Sequence, residues 1–437
     1  MFLRGLLPLV VLVPACSACA SEPTPARPDA SVDASDDSAI DARVDATKPC
    51  TPNPRSTFVP DGWVPWDGYV PCSGFYVPTT ASQLPPALTW ETCAAAAKPQ
   101  IVGCKSVVLD PNGMDSAAID VSVDDNGKAV LLFSQDYKDR QLITVADADG
   151  GLVHSALLVA ERSRYAVAAA IPKAFVYPRY VLHGVDMIGG VTDGVIVGTV
   201  GMVAPSAGRR WSRTVGHVIG NPGVAHIENS GSITLLSFAD LAVAGDIITP
   251  TQSGPFGNSF PEFFGDSLYW FGNANRRALQ RRWDNDTGPV DFIDYKDDDH
   301  GAGNLGTDGV DMVWMESHGP ATQSALWTSA DYWTSPYAKN KADLKPRRLR
   351  SEIPNTLAGK AIVVGCGRAA NFSGNGFRII DLKDGSSWFF PQQFDGWIWL
   401  TALALTCDEV FIRTASAKGP TITRIPIASL GPASPAD

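Results

Sequence analysis

SVDDNGKAVLLFSQDYKDRQLITVADADGG, residues 122–151, decides the fold. The turn Asp124-Asp125-Asn126-Gly127 gives way to KAVLLFS, a short apolar run starting at Lys128. Glycine or asparagine before a run of β-branched and aromatic residues is the grammar of strand and hairpin. The same pattern recurs along the chain. GVIVGTV starts at Gly194, SITLLSF at Ser232 and DSLYWF at Asp266. VDMVWM starts at Val310, AIVVGC at Ala361 and DEVFIR at Asp408. Long helical periodicity is scarce. The 40 glycines and 33 prolines among 437 residues argue further against long helices.

The later strands return at a near-constant interval. Leu268 to Met312 is 44 residues, Met312 to Val363 is 51 and Val363 to Val410 is 47. Propeller blades of the WD or kelch kind repeat at roughly 40–50 residues. The expectation is an all-β chain folded as a β-propeller over residues 115–437. Seven strand starts imply about seven blades, with six or eight as alternatives, and closure by pairing of N- and C-terminal strands.

Residues 122–151 also resemble a β-propeller repeat of the TolB type. In that repeat an Asp-Gly-Lys-like turn precedes one strand, and a second strand ends in Asp-x-Asp-Gly. Here the turn is Asp125-Asn126-Gly127-Lys128 and the ending is Asp147-Ala148-Asp149-Gly150. The match covers about 30 of 437 residues, and later repeats fit more loosely. The resemblance implies a propeller that serves as an interaction platform.

The N-terminus reads as an export signal. MFLRGLLPLVVLVPAC has one positive residue, Arg4, and then a short apolar core. That core is too short for a membrane-spanning helix, which needs roughly 20 residues. The stretch resembles the lipobox of bacterial lipoproteins, with Cys16 or Cys19 as the lipidated residue and residues 1–19 as the signal. Cys16 lies against the apolar core, but Pro14 fits poorly. Cys19 follows two small residues, and its choice leaves six cysteines for three bridges. Cleavage after Ala20 without lipid is the alternative. Residues 20–49 follow as an acidic tether, with Asp29, Asp33, Asp37, Asp41 and Asp45 at every fourth position. Seven acids and three bases between residues 17 and 49 supply −4 of the chain's net −11. Such a segment lacks the apolar surface to offset its ordering entropy, and about 30 residues of it reach about 30 Å on average. Lipid, spacer and folded domain form a display arrangement at the bacterial cell envelope, on the outer membrane or cell surface.

Residues 50–114 lack the repeat. They hold Trp63, Trp66, Tyr69, Phe75 and Tyr76 among prolines and read as an irregular lead-in stapled by disulfides. Its aromatics are expected to pack onto the propeller; a platform for sugar or peptide is the alternative. Six cysteines in an exported chain read as bridges: Cys50 with Cys72, Cys93 with Cys104, and Cys366 with Cys407. No Cys-x-x-Cys spacing points to zinc or redox chemistry.

With 35 basic and 46 acidic residues the chain does not suit nucleic acid. GAGNLG, residues 301–306, matches a dinucleotide glycine pattern, but acids flank it and no helix pattern follows. The run from Asp284 to His300 holds Asp284, Asp286, Asp291, Asp294, Asp297, Asp298 and Asp299. Asp297, Asp298 and Asp299 are the candidate Ca²⁺ ligands, although a solvated acidic loop between strands is the more frequent outcome of such a run; no other cofactor is expected. Basic clusters at Arg209-Arg210, Arg276-Arg277, Arg281-Arg282 and Lys345 to Arg350 read as exposed strand faces. Their alternative is cation–π contact or a grip on an anionic glycan. The six histidines form no short ligand pair, and no nucleophile elbow occurs. The reading is an envelope-anchored propeller that binds or scaffolds a protein or glycan partner, held to the membrane by lipid alone. The rival is an extracytoplasmic propeller enzyme, a glycan hydrolase or lyase, with carboxylates around the central channel.

Overall fold

The computed structural model describes residues 59–66, 68, 75–86, 88–93, 102–109, 119–123, 127–137, 140–149, 152–159, 179–186, 192–211, 214–220, 223–228, 233–248, 262–264, 266–272, 277–282, 290–294, 300–318, 329–352, 362–373, 376–391, 393–394, 397–416 and 419–436. These residues form antiparallel strands with three short 3-10 turns, and among them no helix is long and apolar enough to cross a membrane. The fold is an all-β propeller.

The strands make seven sheets. Sheet 1 runs from the inner strand Ile119–Val123 through Ala129–Tyr137, Arg140–Asp147 and Val153–Val159 to Phe75–Pro78 and Trp63–Pro65. Sheet 2 holds Arg179–Asp186, Thr192–Thr199 and Ala207–Trp211. Sheet 3 spans Thr214–Gly220 to Val243–Ile248, sheet 4 Glu262–Phe264 to Val290–Asp294, and sheet 5 His300–Thr307 to Arg347–Glu352. Sheet 6 spans Val363–Gly365 to Ser387–Pro391. Sheet 7 begins with Gln393–Phe394, Trp397–Leu405, Glu409–Ser416 and Gly419–Pro426, then takes Lys105–Val108 and Glu91–Thr92.

Apolar layers between neighbouring sheets hold the ring. In KAVLLFS, Val130 and Leu132 pack toward Tyr180 and Ile196 of sheet 2, while Leu131 and Phe133 pack toward Phe411 and Ile422 of sheet 7. Both faces of the strand are buried, which is why its sequence is a continuous apolar run rather than an alternation. Val197 meets Val224 and Leu236 between sheets 2 and 3. Ala225 and Ile233 meet Leu268 and Trp270 between sheets 3 and 4. Tyr269 and Phe292 meet Met312 and Trp314 between sheets 4 and 5, and Val313 and Tyr332 meet Val364 and Ile380 between sheets 5 and 6. Phe377 and Ile379 meet Val410 and Ile412 between sheets 6 and 7. Inner strands Trp397–Leu405 and Ile119–Val123 then lie side by side and complete the circle.

The blade count is a correction. Five sheets, numbers 2 to 6, are blades in the simple sense, each of three or four consecutive strands. The circle is completed by two six-stranded sheets that borrow strands from the N-terminal lead-in. The expectation of about seven like blades, or six or eight, behind a separate irregular lead-in therefore gives way to five plain blades and two composite sheets. A sequence period registers where a strand starts. It does not register a partner from far away, such as Val108 beside Thr421 or Lys105 beside Arg424. That pairing is the N- to C-terminal closure.

The glycine pattern at residues 301–306 lies in the inner strand His300–Thr307. A Cβ on Gly306 would sit 1.9 Å from the Ile362 carbonyl oxygen. The glycine is there because two sheets approach backbone to backbone, not to cradle a phosphate.

Candidate binding face

Chain direction alternates along each sheet, and a series of contacts ties the turns at one end of the ring together. Ala156 donates its N–H to the Val203 carbonyl between sheets 1 and 2 (3.4 Å), and Arg209 Nη1 donates to the Leu241 carbonyl between sheets 2 and 3 (2.9 Å). The Phe264 and Tyr337 rings meet at 4.6 Å, tilted by 59°, between sheets 4 and 5, and the Tyr337 N–H reaches the Val310 carbonyl at 2.8 Å. Arg347 Nη2 donates to the Leu382 carbonyl, and Cys366 is bonded to Cys407. This end is the turn face.

The turns themselves follow from side-chain chemistry. In Thr307-Asp308-Gly309-Val310 the Thr307 hydroxyl donates to the Asp311 carbonyl (2.7 Å) and accepts from the Gly309 N–H (3.0 Å). In Thr406-Cys407-Asp408-Glu409 the Thr406 hydroxyl accepts from the N–H groups of Asp408 (3.2 Å) and Glu409 (2.9 Å). A threonine hydroxyl thereby replaces backbone partners that a tight turn cannot supply.

Among the described residues, seven large apolar side chains are exposed: Val64, Val102, Leu152, Met202, Val243, Val310 and Phe389. Five of them, Val102, Leu152, Met202, Val243 and Val310, lie at the turn face, with exposures of 76%, 62%, 60%, 55% and 71%. Gly201 (φ 97°) and Gly309 (φ 85°) adopt the left-handed conformation that turns the chain and leaves the next residue, Met202 or Val310, at the tip. Single exposed aliphatics are ordinary; their collection at one end of a molecule is not.

The same face holds a cavity of about 750 Å³ between sheets 1, 6 and 7, lined among others by Lys128, Asp149, Arg368, Thr406, Asp408 and Arg424. Arg424 organises it. Its Nε donates to Glu409 Oε1 (2.8 Å), its Nη2 to Glu409 Oε2 and to Asp149 Oδ1 (3.1 Å), and its Nη1 to the Ala148 carbonyl (3.0 Å). Trp90 Nε1 donates to the same carbonyl (2.8 Å), and the guanidinium lies 5.2 Å from the Trp90 ring. Burial alone would lower the Arg424 pKa; Glu409 and Asp149 outweigh it and hold the group charged. This network ties the last sheet, the first sheet and the lead-in together, so its first role is closure of the ring.

Two histidine–carboxylate pairs are seen among the described residues. His154 Nε2 lies 2.8 Å from Asp147 Oδ1, and His318 Nε2 lies 3.1 Å from Asp331 Oδ2. The Ser351 hydroxyl donates to Asp331 Oδ1, and Arg348 Nη1 stands 3.7 Å from Oδ2. Burial alone would raise Asp331, but Ser351, His318 and Arg348 hold it below the ordinary carboxylate value. Here the carboxylate sits between serine and histidine. A serine nucleophile needs the histidine in the middle, so this order does not activate Ser351. On the inner strand of sheet 1, burial pushes the Asp120 carboxyl up to about 8, partly offset by the Val121 N–H at 2.9 Å.

Cys93 is bonded to Cys104, and Cys366 to Cys407. Cys407 lines the cavity. Cys16, Cys19, Cys50, Cys72 and the candidate Ca²⁺ ligands Asp297, Asp298 and Asp299 lie outside the described residues. Among the described residues no group of three or more His, Cys, Asp or Glu is placed to hold a metal ion. Of the lead-in aromatics, Trp66 packs on the layer between sheets 1 and 2, and Trp63 and Tyr76 pack around Leu142.

No family model and no curated protein sequence matches the chain. Solved propellers resemble it in fold only. BamB of Moraxella catarrhalis is similar at 10% identity, with 77% of this chain and 98% of that chain covered and a TM-score of 0.41. The Pan2 WD40 domain of Neurospora crassa is similar at 8% identity over 77% of this chain and 97% of that chain, with a TM-score of 0.43. The WD40 domain of Toxoplasma gondii coronin gives 9% identity, 78% and 88% coverage, and a TM-score of 0.34. What stands of the TolB-type resemblance is the propeller fold, not that particular repeat.

Arg424 and the aliphatic tips went unnoticed in the sequence. Their signals are present: a lone arginine inside the run TITRIPI, and a large apolar residue directly after a turn glycine in Gly201-Met202 and Gly309-Val310.

Proposed function

We propose that the protein is an envelope-anchored β-propeller that binds or scaffolds a partner protein through its turn face. One observation carries the reading: exposed aliphatic tips from sheets 1, 2, 3, 5 and 7 gather at the end that also holds the cavity. The Val310 tip stands on a turn fixed by the Thr307 hydroxyl, and all five tips stand at the ends of packed sheets, so the face is preformed and docking orders little chain. The lipobox-like stretch around Cys16 and Cys19 and the acidic sequence of residues 20–49 support a position at the bacterial envelope.

The test is affinity capture from envelope extract of the native cell, with full-length protein as bait. Leu152→Glu, Met202→Glu and Val310→Glu together should abolish capture of a specific partner, and Val64→Glu should leave it intact. Equal capture by both variants contradicts the reading. Mass spectrometry of the mature N-terminus should find a diacylglyceryl cysteine at residue 16 or 19; a free Ser21 terminus contradicts the anchor.

The glycan-enzyme reading has one observation in its favour, the Asp120 carboxyl raised to about 8, in the range of a general acid. Glycoside hydrolysis needs a second carboxyl facing the first. Among the described groups, only burial and the Val121 N–H act on Asp120.

A further inference from the structure

The turn face is not electrically uniform. In a chain with 46 acids and 35 bases, residues 337–350 hold six bases and a single acid. Lys339, Lys341, Lys345, Arg347 and Arg348 are all exposed. The segment is rigidly held. Ala338 is buried and Leu344 packs with it against the layer between sheets 4 and 5. The Lys345 N–H donates to the buried Ser335 hydroxyl (2.9 Å), and Asn340 Nδ2 donates to Asp343 Oδ2 (2.9 Å). With its apolar residues anchored inward, the segment presents its cations outward. The Tyr337 N–H, bonded to the Val310 carbonyl, places this row beside an aliphatic tip that is 71% exposed.

We infer that Val310 with Lys341, Lys345 and Arg347 forms a docking surface for an acidic segment of a partner protein that carries an aliphatic anchor. The inference rests on the turn-face reading and names the partner's chemistry. The cations offer charge complementarity, Val310 offers a desolvated contact, and the anchored backbone lowers the ordering cost of binding. An anionic membrane fits less well. A flat lipid surface touching the whole face would meet exposed Asp149, Asp240, Asp384 and Asp408 as well, and these repel it. A narrow segment meets the cationic row alone. Three acids border the row: Asp343 accepts from Asn340, Asp308 Oδ1 accepts from the Val310 and Asp311 N–H groups at 2.9 Å, and the part-buried Asp311 carboxyl feels Arg347 on one side and Asp308 on the other, with burial and Asp308 together raising its pKa above the ordinary carboxylate value.

The test uses full-length protein and a labelled peptide of about 12 alternating Glu and Leu residues, with a Gln/Leu peptide as control, read by fluorescence anisotropy at about 50 and about 300 mM salt. The Glu/Leu peptide should bind, the Gln/Leu peptide should bind at least about tenfold more weakly, and added salt should weaken the first. Lys341→Glu with Lys345→Glu should weaken binding by about tenfold or more, and Val310→Ser should weaken it several-fold. Lys341→Gln with Lys345→Gln repeats the test should charge reversal disturb folding by circular dichroism. Equal binding of the two peptides, or unchanged binding by these variants, overturns the inference. So does tighter association with phosphatidylglycerol vesicles than with the peptide. If envelope capture depends on Leu152 and Met202 but not on Lys341 and Lys345, the turn-face reading stands and this inference fails.

Discussion

Arg424 shows how one residue closes a ring. Sequence distance separates it from Ala148 and Asp149 by more than half the chain, yet it bonds both while pairing with Glu409. Truncating Arg424 to Ala leaves the Glu409 carboxylate, which is 19% exposed, without its cation. The expected loss is on the order of 2–3 kcal/mol in urea unfolding, and Arg424→Lys restores charge but not the forked geometry. Asp120 gives a pH signature. Its folded pKa of about 8 stands above the ordinary 3.8, so the folded state binds a proton that the unfolded state has released across that interval. Stability therefore falls as pH rises from 3.8 toward about 8. The slope from this group is at most about 1.4 kcal/mol per pH unit. Asp120→Asn should flatten that slope in urea titrations at several pH values; an unchanged slope means Asp120 is not buried as described. Asp331 acts in the opposite sense: its depressed pKa contributes stability above the ordinary value of 3.8, and that contribution disappears as pH falls through its folded pKa.

At the scale of the element, the strands were legible and their partners were not. Each of the seven apolar runs noted in the sequence overlaps a strand, from three residues in AIVVGC to six in KAVLLFS, because two buried faces demand continuous apolar sequence. The lead-in was not legible as sheet. Its strands, Trp63–Pro65, Phe75–Pro78, Glu91–Thr92 and Lys105–Val108, are two to four residues long, too short to carry a period. Their place is fixed by edges far away in sequence. The turn Thr406 to Glu409 and the disulfide Cys366–Cys407 act as one element, clamping sheet 6 to sheet 7 at the cavity. The bridge closes a separation of 41 residues, worth up to about 4 kcal/mol by loss of unfolded-state entropy. Replacing both cysteines with serine should lower the melting temperature by several degrees while far-ultraviolet circular dichroism stays that of a propeller. An unchanged melting temperature contradicts the clamp. Thr406→Val, which keeps the shape but removes the hydroxyl, should cost about 1–2 kcal/mol through the turn.

For the whole molecule, the period of about 44–51 residues carried the propeller but not its construction from five plain blades and two composite sheets. The candidate face was illegible for a related reason. Val102, Leu152, Met202, Val243 and Val310 are scattered over 209 positions, and only the alternation of chain direction in five sheets brings them to one end. Nothing local distinguishes them from core residues except an adjacent turn. The central claim is that this end, and no other part of the surface, meets a partner. Site-specific photo-crosslinking in the native cell tests it most directly, with a photoreactive residue placed in turn at Leu152, Met202, Val310, Val64 and Phe389. One protein adduct of constant mass is expected from the three turn-face positions, and none from Val64 or Phe389. Adducts from Val64 as strong as those from the turn face, or no adduct at any turn-face position, would contradict it.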